Sequence, residues 1–356
     1  MAKCKTIMLL VTYECNLRCS YCYEPKNVCH TMSFDNAVRY ILKQVELLDD
    51  KYDEFEVQFM GGEPLMEFFL IKQVSEWLWQ YNFKIPLAKI FVPTNGTLLD
   101  ENIKEWFTQH KSKICLGLSF DGNRLMQDIN RTQSYSLVDL KFFASRWPEQ
   151  SVKMTISPQT LPYLFDGVIF LTKQGFSYIT VDLAMGCNIK WEQKHLLVLS
   201  RQLQYLSYYY LDHPSIPVIS MLNMDVTQVL NKPHLKKCSC GEDLVCVDYD
   251  GTTYACHLFA PITASKELAE ASQNIDFKNQ KEKMNNPCRQ CMLFSLCTFC
   301  YGMNYLINND IAKQSAFGCS SFKIQFLAAA NFQLKRAERN ADSQTVTKIE
   351  TIISQF

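Results

Sequence analysis

The chain has 356 residues, of which 47% are hydrophobic, and its 36 basic and 36 acidic side chains balance to a net charge of zero. This composition excludes intrinsic disorder, and the neutral balance argues against nucleic acid as a main partner because there is no positive field to hold a phosphate backbone. The length predicts one large domain with a smaller one, or two medium domains.

Strand-like apolar runs alternate with helical patterns through the first two thirds of the chain. Six consecutive βα units favour a parallel sheet with helical crossovers, built as a partial, laterally open barrel or as a doubly wound sheet. In both, chemistry belongs in the loops at the carboxyl ends of the strands. Ser33 and Asp100 are predicted helix caps, and Gly175 a helix stop. The predicted strands are 7–13, 55–59, 90–92, 114–120, 152–157 and 178–183, and the predicted helices are 34–48, 68–81, 102–109, 137–143, 164–173 and 191–210.

The cysteine content points to metal chemistry in a reducing compartment. No secretory leader precedes the first motif, and no run reaches the ~18 apolar residues of a membrane span. We therefore expect a cytoplasmic protein without a membrane partner, in which clustered cysteines are metal ligands or catalytic groups. Of the 16 cysteines, three lie at 15–22 and nine between 238 and 319. The isolated ones, expected to be ordinary core, strand or loop thiols, are Cys4, Cys29, Cys115 and Cys187.

The first group, Cys15, Cys19 and Cys22, has the spacing C-x3-C-x2-C after the first predicted strand. Three thiolates on a compact loop can each hold one iron of a [4Fe–4S] cube and leave the fourth iron open to an external ligand. The alternative is a zinc site, with its fourth ligand supplied by Cys29 or, less easily, by Cys4 or His30.

This loop, with the aromatic Tyr21 before its third cysteine, resembles the signature of the radical S-adenosylmethionine (radical SAM) superfamily, and the resemblance continues over about residues 1–225. The Gly-Gly-Glu-Pro run after the second strand resembles the motif that holds the amino group of the methionine moiety. Residues 93–97 and 118–122 resemble segments that line the cofactor pocket. The resemblance implies a partial (β/α)6 TIM-like barrel, with S-adenosylmethionine contacted by Tyr21, Gly61, Gly62, Glu63, Asn95 and Ser119.

The resemblance also implies a mechanism. S-adenosylmethionine binds the open iron of the cluster held by the first three cysteines. An external one-electron reductant of the flavodoxin or ferredoxin type drives its cleavage to methionine and a 5′-deoxyadenosyl radical, which abstracts a hydrogen from an unactivated carbon. The protein positions the substrate carbon and excludes water.

The second cysteine group resembles the SPASM extension of radical SAM enzymes, a small cysteine-rich α+β domain. Its central string is C-x2-C-x5-C-x2-C, where that family has three residues in the last gap. Two zinc ribbons are the alternative. The resemblance implies two auxiliary [4Fe–4S] clusters and the domains 1–230 (barrel), 231–325 (SPASM) and 326–356 (C-terminal helix). The first auxiliary cluster is assigned to Cys238, Cys240, Cys256 and Cys300, with Cys246 as the other candidate, and the second to Cys288, Cys291, Cys297 and Cys319.

SPASM-type enzymes mostly modify peptides and proteins. We predict a maturase that installs a thioether, carbon–carbon or carbon–oxygen crosslink in a ribosomally made precursor peptide. The alternative is an anaerobic sulfatase-maturating enzyme, which residues 94–97 and 119–122 resemble. His257 stands where those enzymes have an aspartate base, and an imidazole can also take a proton near neutral pH. Residues 300–305 look more like maturases of small peptides.

Two further expectations concern partners and class. Only about six residues precede the first strand, so leader recognition would fall to the SPASM region, to residues 210–236 or to a separate leader-binding protein. The rival from another class is a non-catalytic iron–sulfur or zinc carrier or scaffold.

Overall fold

The computed structural model describes residues 2–24, 29–186, 188–230, 238–277 and 286–355. Cys187 and residues 231–237, where the predicted domain boundary falls, lie outside the described residues. The strands are β1 (Cys4–Thr12), β2 (Glu54–Gly61), β3 (Leu87–Thr94), β4 (Ile114–Leu118), β5 (Val152–Ile156), β6 (Ile179–Leu183), β7 (Leu244–Val247) and β8 (Thr253–Tyr254). The α-helices are α1 (Phe34–Glu46), α2 (Phe68–Gln80), α3 (Glu101–Gln109), α4 (Arg124–Asn130), α5 (Leu140–Arg146), α6 (Leu164–Lys173), α7 (Gln193–Asp212), α8 (Lys266–Ser272), α9 (Asn286–Arg289), α10 (Tyr301–Asn308), α11 (Ala316–Arg339) and α12 (Ser343–Ser354).

The chain forms two compact units, each assembled from separate stretches of sequence. The first contains Met1–Ser119, Arg131–Gln150 and Ser239–Gln280, and the second contains Phe120–Asn130, Ser151–Cys238 and Lys281–Phe356. The predicted domains 1–230, 231–325 and 326–356 stay predictions, because a compact unit of this kind need not be a continuous domain.

The first unit is built on a six-stranded sheet in the order β4-β3-β2-β1-β7-β8. The pairs β4–β3, β3–β2, β2–β1 and β1–β7 are all parallel. Strand β8 pairs antiparallel with β7 and forms a hairpin with it. Residues Thr6–Leu9 of β1 pair with Leu244–Val247 of β7, so a strand from the C-terminal third of the chain extends the sheet beside β1. Side chains on both faces of β1 are buried, as expected for a near-continuous apolar run inside a parallel sheet.

The second unit contains the parallel pair β5–β6 and a helical core. The predicted single C-terminal helix is two helices, α11 and α12, in the structure. Ala341, in a left-handed conformation (φ 55°), interrupts them, and the Asp342 side chain accepts a hydrogen bond from the Thr345 amide to begin α12. Phe326 and Ile349 are fully buried, so these helices contribute to a core and are not simply solvated.

The predicted strands and helices of the βα region agree with the structure, including the caps. Ser33 Oγ accepts from the Asn36 amide (3.2 Å) and Asp100 Oδ1 from the Ile103 amide (2.8 Å). The sequence analysis missed α4, and the predicted helix 137–143 is a short 3₁₀ turn followed by α5. Among the described residues, no helix combines the length and apolar character needed to cross a membrane.

Candidate active site

The cysteine loop, residues 14–24, follows β1 at the carboxyl edge of the sheet. Its thiols, Cys15, Cys19 and Cys22, form no disulfide and are partly exposed. The Leu17 amide donates to Cys15 Sγ at 3.5 Å, and the Arg18 guanidinium donates to the Cys15 and Leu17 carbonyls at 2.7 and 3.0 Å. The loop's own bonds therefore shape it, and hydrogen bonds to a ligand sulfur are among the features that tune an iron–sulfur cluster.

The donor set of the cysteine loop fits a cubane. Among the described residues, no three His, Cys, Asp or Glu side chains converge to enclose a single metal ion. Each cysteine of a [4Fe–4S] cube binds its own iron, and the loop supplies three such thiols. Cys29, the alternative fourth zinc ligand, is exposed, and its hydrogen bond to Glu14 raises the pKa of its thiol.

Gly61 and Gly62 pass close to the start of the cysteine loop. A Cβ atom would lie 2.1 Å from the Thr12 oxygen if added at Gly61, and 2.3 Å from the Glu14 oxygen if added at Gly62. The Gly62 and Glu63 amides also donate to the Thr12 and Glu14 carbonyls, at 3.1 and 2.8 Å. The backbone at Thr12 and Glu14 thus packs so closely against Gly61 and Gly62 that neither position has room for a side chain.

Glu63 joins the loops after β2 and β3. Its carboxylate, only 2% exposed, accepts hydrogen bonds from Thr94 Oγ1 (2.7 Å), the Asn95 amide (2.7 Å) and the Leu65 amide (3.1 Å). Burial raises the pKa of Glu63, while these donors and the nearby charge of Arg131 act in the opposite direction. The Glu63 carboxylate therefore holds the loops after β2 and β3 together through its hydrogen bonds.

Asn95 connects the β3 loop to the cysteine loop. Its Nδ2 donates to Asn16 Oδ1 (2.9 Å), and its Oδ1 accepts from the amide and hydroxyl of Thr97 (3.0 and 2.7 Å). Asn16 Nδ2 in turn donates to Thr97 Oγ1 at 2.7 Å. Ser119 reaches this region through its amide, which donates to the Thr94 carbonyl at 2.9 Å. The structure thus links the predicted cofactor-binding segments through one polar network.

Arg131 is a candidate site residue that the sequence analysis missed. It is 7% exposed, and its guanidinium carbon lies 5.5 Å from the ring centroid of Tyr21. The next residue, Thr132, accepts from the Arg18 amide through Oγ1 at 3.0 Å, which adds a second connection to the cysteine loop. Thr132 and Gln133 both have positive φ (55°), so the turn that places Arg131 carries no glycine to reveal it.

His257 lies on the 3₁₀ helix His257–Phe259, directly after the β7–β8 hairpin. Its Nε2 is 3.0 Å from the hydroxyl of Tyr23, the residue that follows Cys22. Its Nδ1 is 3.8 Å from Cys256 Sγ. The first compact unit thus brings the predicted base to the cysteine loop.

The hairpin cysteines differ in chemistry. A hydrogen bond from Cys240, together with the adjacent His257, holds the pKa of Cys256 well below its ordinary value, as suits a ligand thiolate. Cys246 is fully buried in β7, and burial raises its pKa well above the ordinary value, as for a small apolar side chain. Of the remaining assigned ligands, Cys238 and Cys300 belong to the second unit, where both are half-buried.

Cys288, Cys291, Cys297 and Cys319 lie within electrostatic reach of one another in the second unit. Burial, followed by the three neighbouring thiols, raises the pKa of Cys297 to about 12, and burial with Cys319 and Cys291 raises that of Cys288. Such mutual repulsion is what a bound iron–sulfur cluster relieves, because the ligands are thiolates. The donor chemistry therefore fits the predicted second auxiliary cluster.

Residues 9–138 match the sequence model of the Radical SAM superfamily. This part of the chain is a radical SAM domain, and the domain implies S-adenosylmethionine and a [4Fe–4S] cluster as cofactors. This match argues against the rival interpretation as a non-catalytic carrier.

Two curated proteins are similar to this chain. The uncharacterized protein MJ0907 of Methanocaldococcus jannaschii is 30% identical over 188 residues, which cover 50% of this chain and 62% of that protein. The chain thus spans less than two thirds of that relative. The cysteine-type anaerobic sulfatase-maturating enzyme of Clostridium perfringens strain 13 is 24% identical over 323 residues, which cover 80% of this chain and 84% of the enzyme.

Solved structures confirm the predicted fold class. Native anSMEcpe with bound AdoMet and Cp18Cys peptide has a TM-score of 0.71 at 20% identity, covering 95% of this chain and 99% of the other. Streptococcus suis SuiB bound to precursor peptide SuiA has a TM-score of 0.59 at 15% identity, covering 90% and 76%. The chain has the radical SAM TIM-like fold with a mostly parallel sheet.

Proposed function

We propose that the chain is a peptide maturase that installs a thioether, carbon–carbon or carbon–oxygen crosslink in a ribosomally made precursor peptide. The observation that carries this proposal is the position of His257, with Nε2 3.0 Å from the Tyr23 hydroxyl beside the cysteine loop. The likeness to two folds solved with bound peptides supports a peptide as substrate.

The cofactor ligands of this proposal are the residues predicted from the sequence. Cys15, Cys19 and Cys22 would hold one [4Fe–4S] cluster, and Cys288, Cys291, Cys297 and Cys319 would hold an auxiliary one. The first auxiliary cluster stays a prediction from the sequence. When bound, these groups and S-adenosylmethionine supply the 5′-deoxyadenosyl radical and take up the substrate electron. The S-adenosylmethionine site is lined by Tyr21, Gly61, Gly62, Glu63, Asn95 and Ser119, and we add Arg131 as a buried cation beside Tyr21. Glu63 acts by holding the loops, because its carboxylate accepts three internal hydrogen bonds.

His257 is the proposed base. Crosslinking removes two hydrogens from the peptide, one of them as a hydrogen atom and the other as a proton and an electron. The imidazole takes that proton, and Tyr23 orients the ring through its hydroxyl. The loops around the site exclude water, so that the substrate radical is not quenched.

Mass spectrometry of a co-expressed candidate precursor tests the proposal. We expect loss of two hydrogens from the peptide and formation of 5′-deoxyadenosine. His257→Ala should lower peptide product by about 10²-fold or more while S-adenosylmethionine cleavage continues. His110→Ala, at the C-cap of α3, is the matched control and should change neither product. An unchanged crosslinking rate in His257→Ala would refute the role of this base.

The second candidate is sulfatase maturation, favoured by the 24% identity to the Clostridium perfringens enzyme. A sulfatase-derived peptide with a target cysteine would then gain an aldehyde at that residue and form no crosslink. Precursor recognition through a separate leader-binding protein and electron supply by a flavodoxin or ferredoxin are further parts of the proposal. Binding measurements with each purified partner test them separately.

A further inference from the structure

Strand β7 is fixed at both ends by tyrosine–aspartate hydrogen bonds. Asp243 precedes the strand, and the Tyr52 hydroxyl donates to its Oδ1 at 3.1 Å. Asp248 follows the strand, and the Tyr13 hydroxyl donates to its Oδ2 at 2.6 Å. Because β1 and β7 are parallel, the Tyr13 bond lies where β1 leads into the cysteine loop and the Tyr52 bond lies at the opposite end.

The Tyr13–Asp248 bond is enclosed by aromatic rings. Tyr13 is 6% exposed and Asp248 is 1% exposed. His30 stacks on Tyr249 with ring centroids 4.0 Å apart and meets Tyr13 edge to face at 5.3 Å. The Tyr13 amide also donates to the His30 carbonyl at 2.9 Å. Tyr13 precedes the cysteine loop and His30 follows it, so the chain on both sides of the loop rests on the β7–β8 hairpin.

The segment directly after the hairpin contacts the cysteine loop at a third place. Two residues after β8 the chain reaches Cys256, and His257 then meets Tyr23 at 3.0 Å. The hairpin therefore borders the loop near its start, its third cysteine and the segment that follows it. The position of the loop therefore depends on these neighbours as well as on its own hydrogen bonds.

We propose that Tyr13 and Asp248 are positioning residues that clamp the cysteine loop to the β7–β8 hairpin, so that the hairpin controls how the loop presents its cluster to S-adenosylmethionine. If this hydrogen bond breaks, the buried Tyr13 hydroxyl and the buried Asp248 carboxylate each lose a partner, which costs free energy. The bond therefore strongly favours one position of the loop. The proposal requires the radical SAM domain and does not depend on which peptide is modified.

The test compares Tyr13→Phe with Tyr52→Phe in the full chain, reconstituted anaerobically and without peptide. Both variants remove one tyrosine–aspartate bond to the same hairpin and keep the ring. Tyr13→Phe should weaken S-adenosylmethionine binding by about fivefold or more and alter the change that the ligand causes in the electron paramagnetic resonance spectrum of the reduced cluster. Tyr52→Phe should leave both properties as in the wild type.

A double-mutant cycle checks that the bond itself is responsible. Asp248→Ala should weaken ligand binding in the same direction, and the Tyr13→Phe/Asp248→Ala double variant should bind no more weakly than Asp248→Ala. Fully additive losses would refute the clamp.

Labelling of the cluster-free chain gives a second readout that needs no iron. Thiol labelling of Cys15, Cys19 and Cys22, mapped by mass spectrometry, should be faster in Tyr13→Phe than in Tyr52→Phe. Equal labelling rates, or equal effects of the two variants on ligand binding and spectrum, overturn the proposal. Failure to find a peptide product leaves these results unchanged, so the two proposals fail separately.

Discussion

Replacing Glu63 with glutamine tests whether its buried carboxylate holds the loops after β2 and β3 together. One carboxylate oxygen accepts from Thr94 (2.7 Å) and Leu65 (3.1 Å), and the other accepts from the Asn95 amide (2.7 Å). Glutamine keeps one acceptor and turns an NH2 group toward a donor. Loss of a hydrogen bond to a charged, buried acceptor costs about 1.5–3 kcal/mol. For a cooperative unit of this size, that lowers the melting temperature by about 3–12 °C.

Differential scanning calorimetry of the full chain measures the effect, with Glu67→Gln as the matched control. Glu67 is the last residue of the 3₁₀ helix Pro64–Glu67, which Glu63 caps, but it is half-buried and accepts a bond from Thr31 Oγ1 at 3.3 Å. Its replacement should cost about 0.5 kcal/mol or less. If Glu63→Gln were no more destabilising than Glu67→Gln, the carboxylate would not be what holds these loops.

Three further predictions concern residues of the first compact unit. Gly62→Ala places a Cβ 2.3 Å from the Glu14 oxygen and should destabilise the chain by about 1–3 kcal/mol in urea unfolding, whereas Gly318→Ala, which meets only side-chain atoms, should cost far less. Cys15→Ala should remove about four irons per reconstituted chain and abolish S-adenosylmethionine cleavage; loss of all iron would contradict separate clusters. Burial raises the pKa of Cys115 from 9.0 to about 11, so its contribution to stability is complete below pH 9 and lost as the pH rises through 11. At pH 9 about 1% of this thiol is ionised, so alkylation should be many-fold slower than in denaturant, and equal rates would refute the shift.

The sequence predicted the strands well because each is a local apolar run, and it predicted the Ser33 and Asp100 caps because capping residues act within three positions of themselves. It missed α4 because two of the three buried side chains of this short helix, Gln127 and Asn130, are polar. Apolar periodicity is therefore absent there. Local pattern was therefore enough for most elements of the βα region, and the omission concerns a helix with polar buried side chains.

The candidate site also contains residues that the sequence reveals and residues that it does not. Cys15, Cys19 and Cys22 are recognisable because their spacing is local. Arg131 and the partners of Glu63 come from other loops, and no spacing in the chain marks them. The Cys240–Cys256 pair depends on a hairpin whose strands had to be placed first.

The position of the β7–β8 hairpin explains why the site is larger than its sequence signature. The family match ends at residue 138, yet Ser239–Gln280 belong to the same compact unit as β1. Tyr13 and Asp248 are 235 positions apart and still share a buried hydrogen bond of 2.6 Å. This bond supports the cysteine loop from outside, in addition to the loop's own hydrogen bonds. The C-terminal hairpin thus borders the cysteine loop, and a chain shortened to its family match would lose these contacts on one side of the loop.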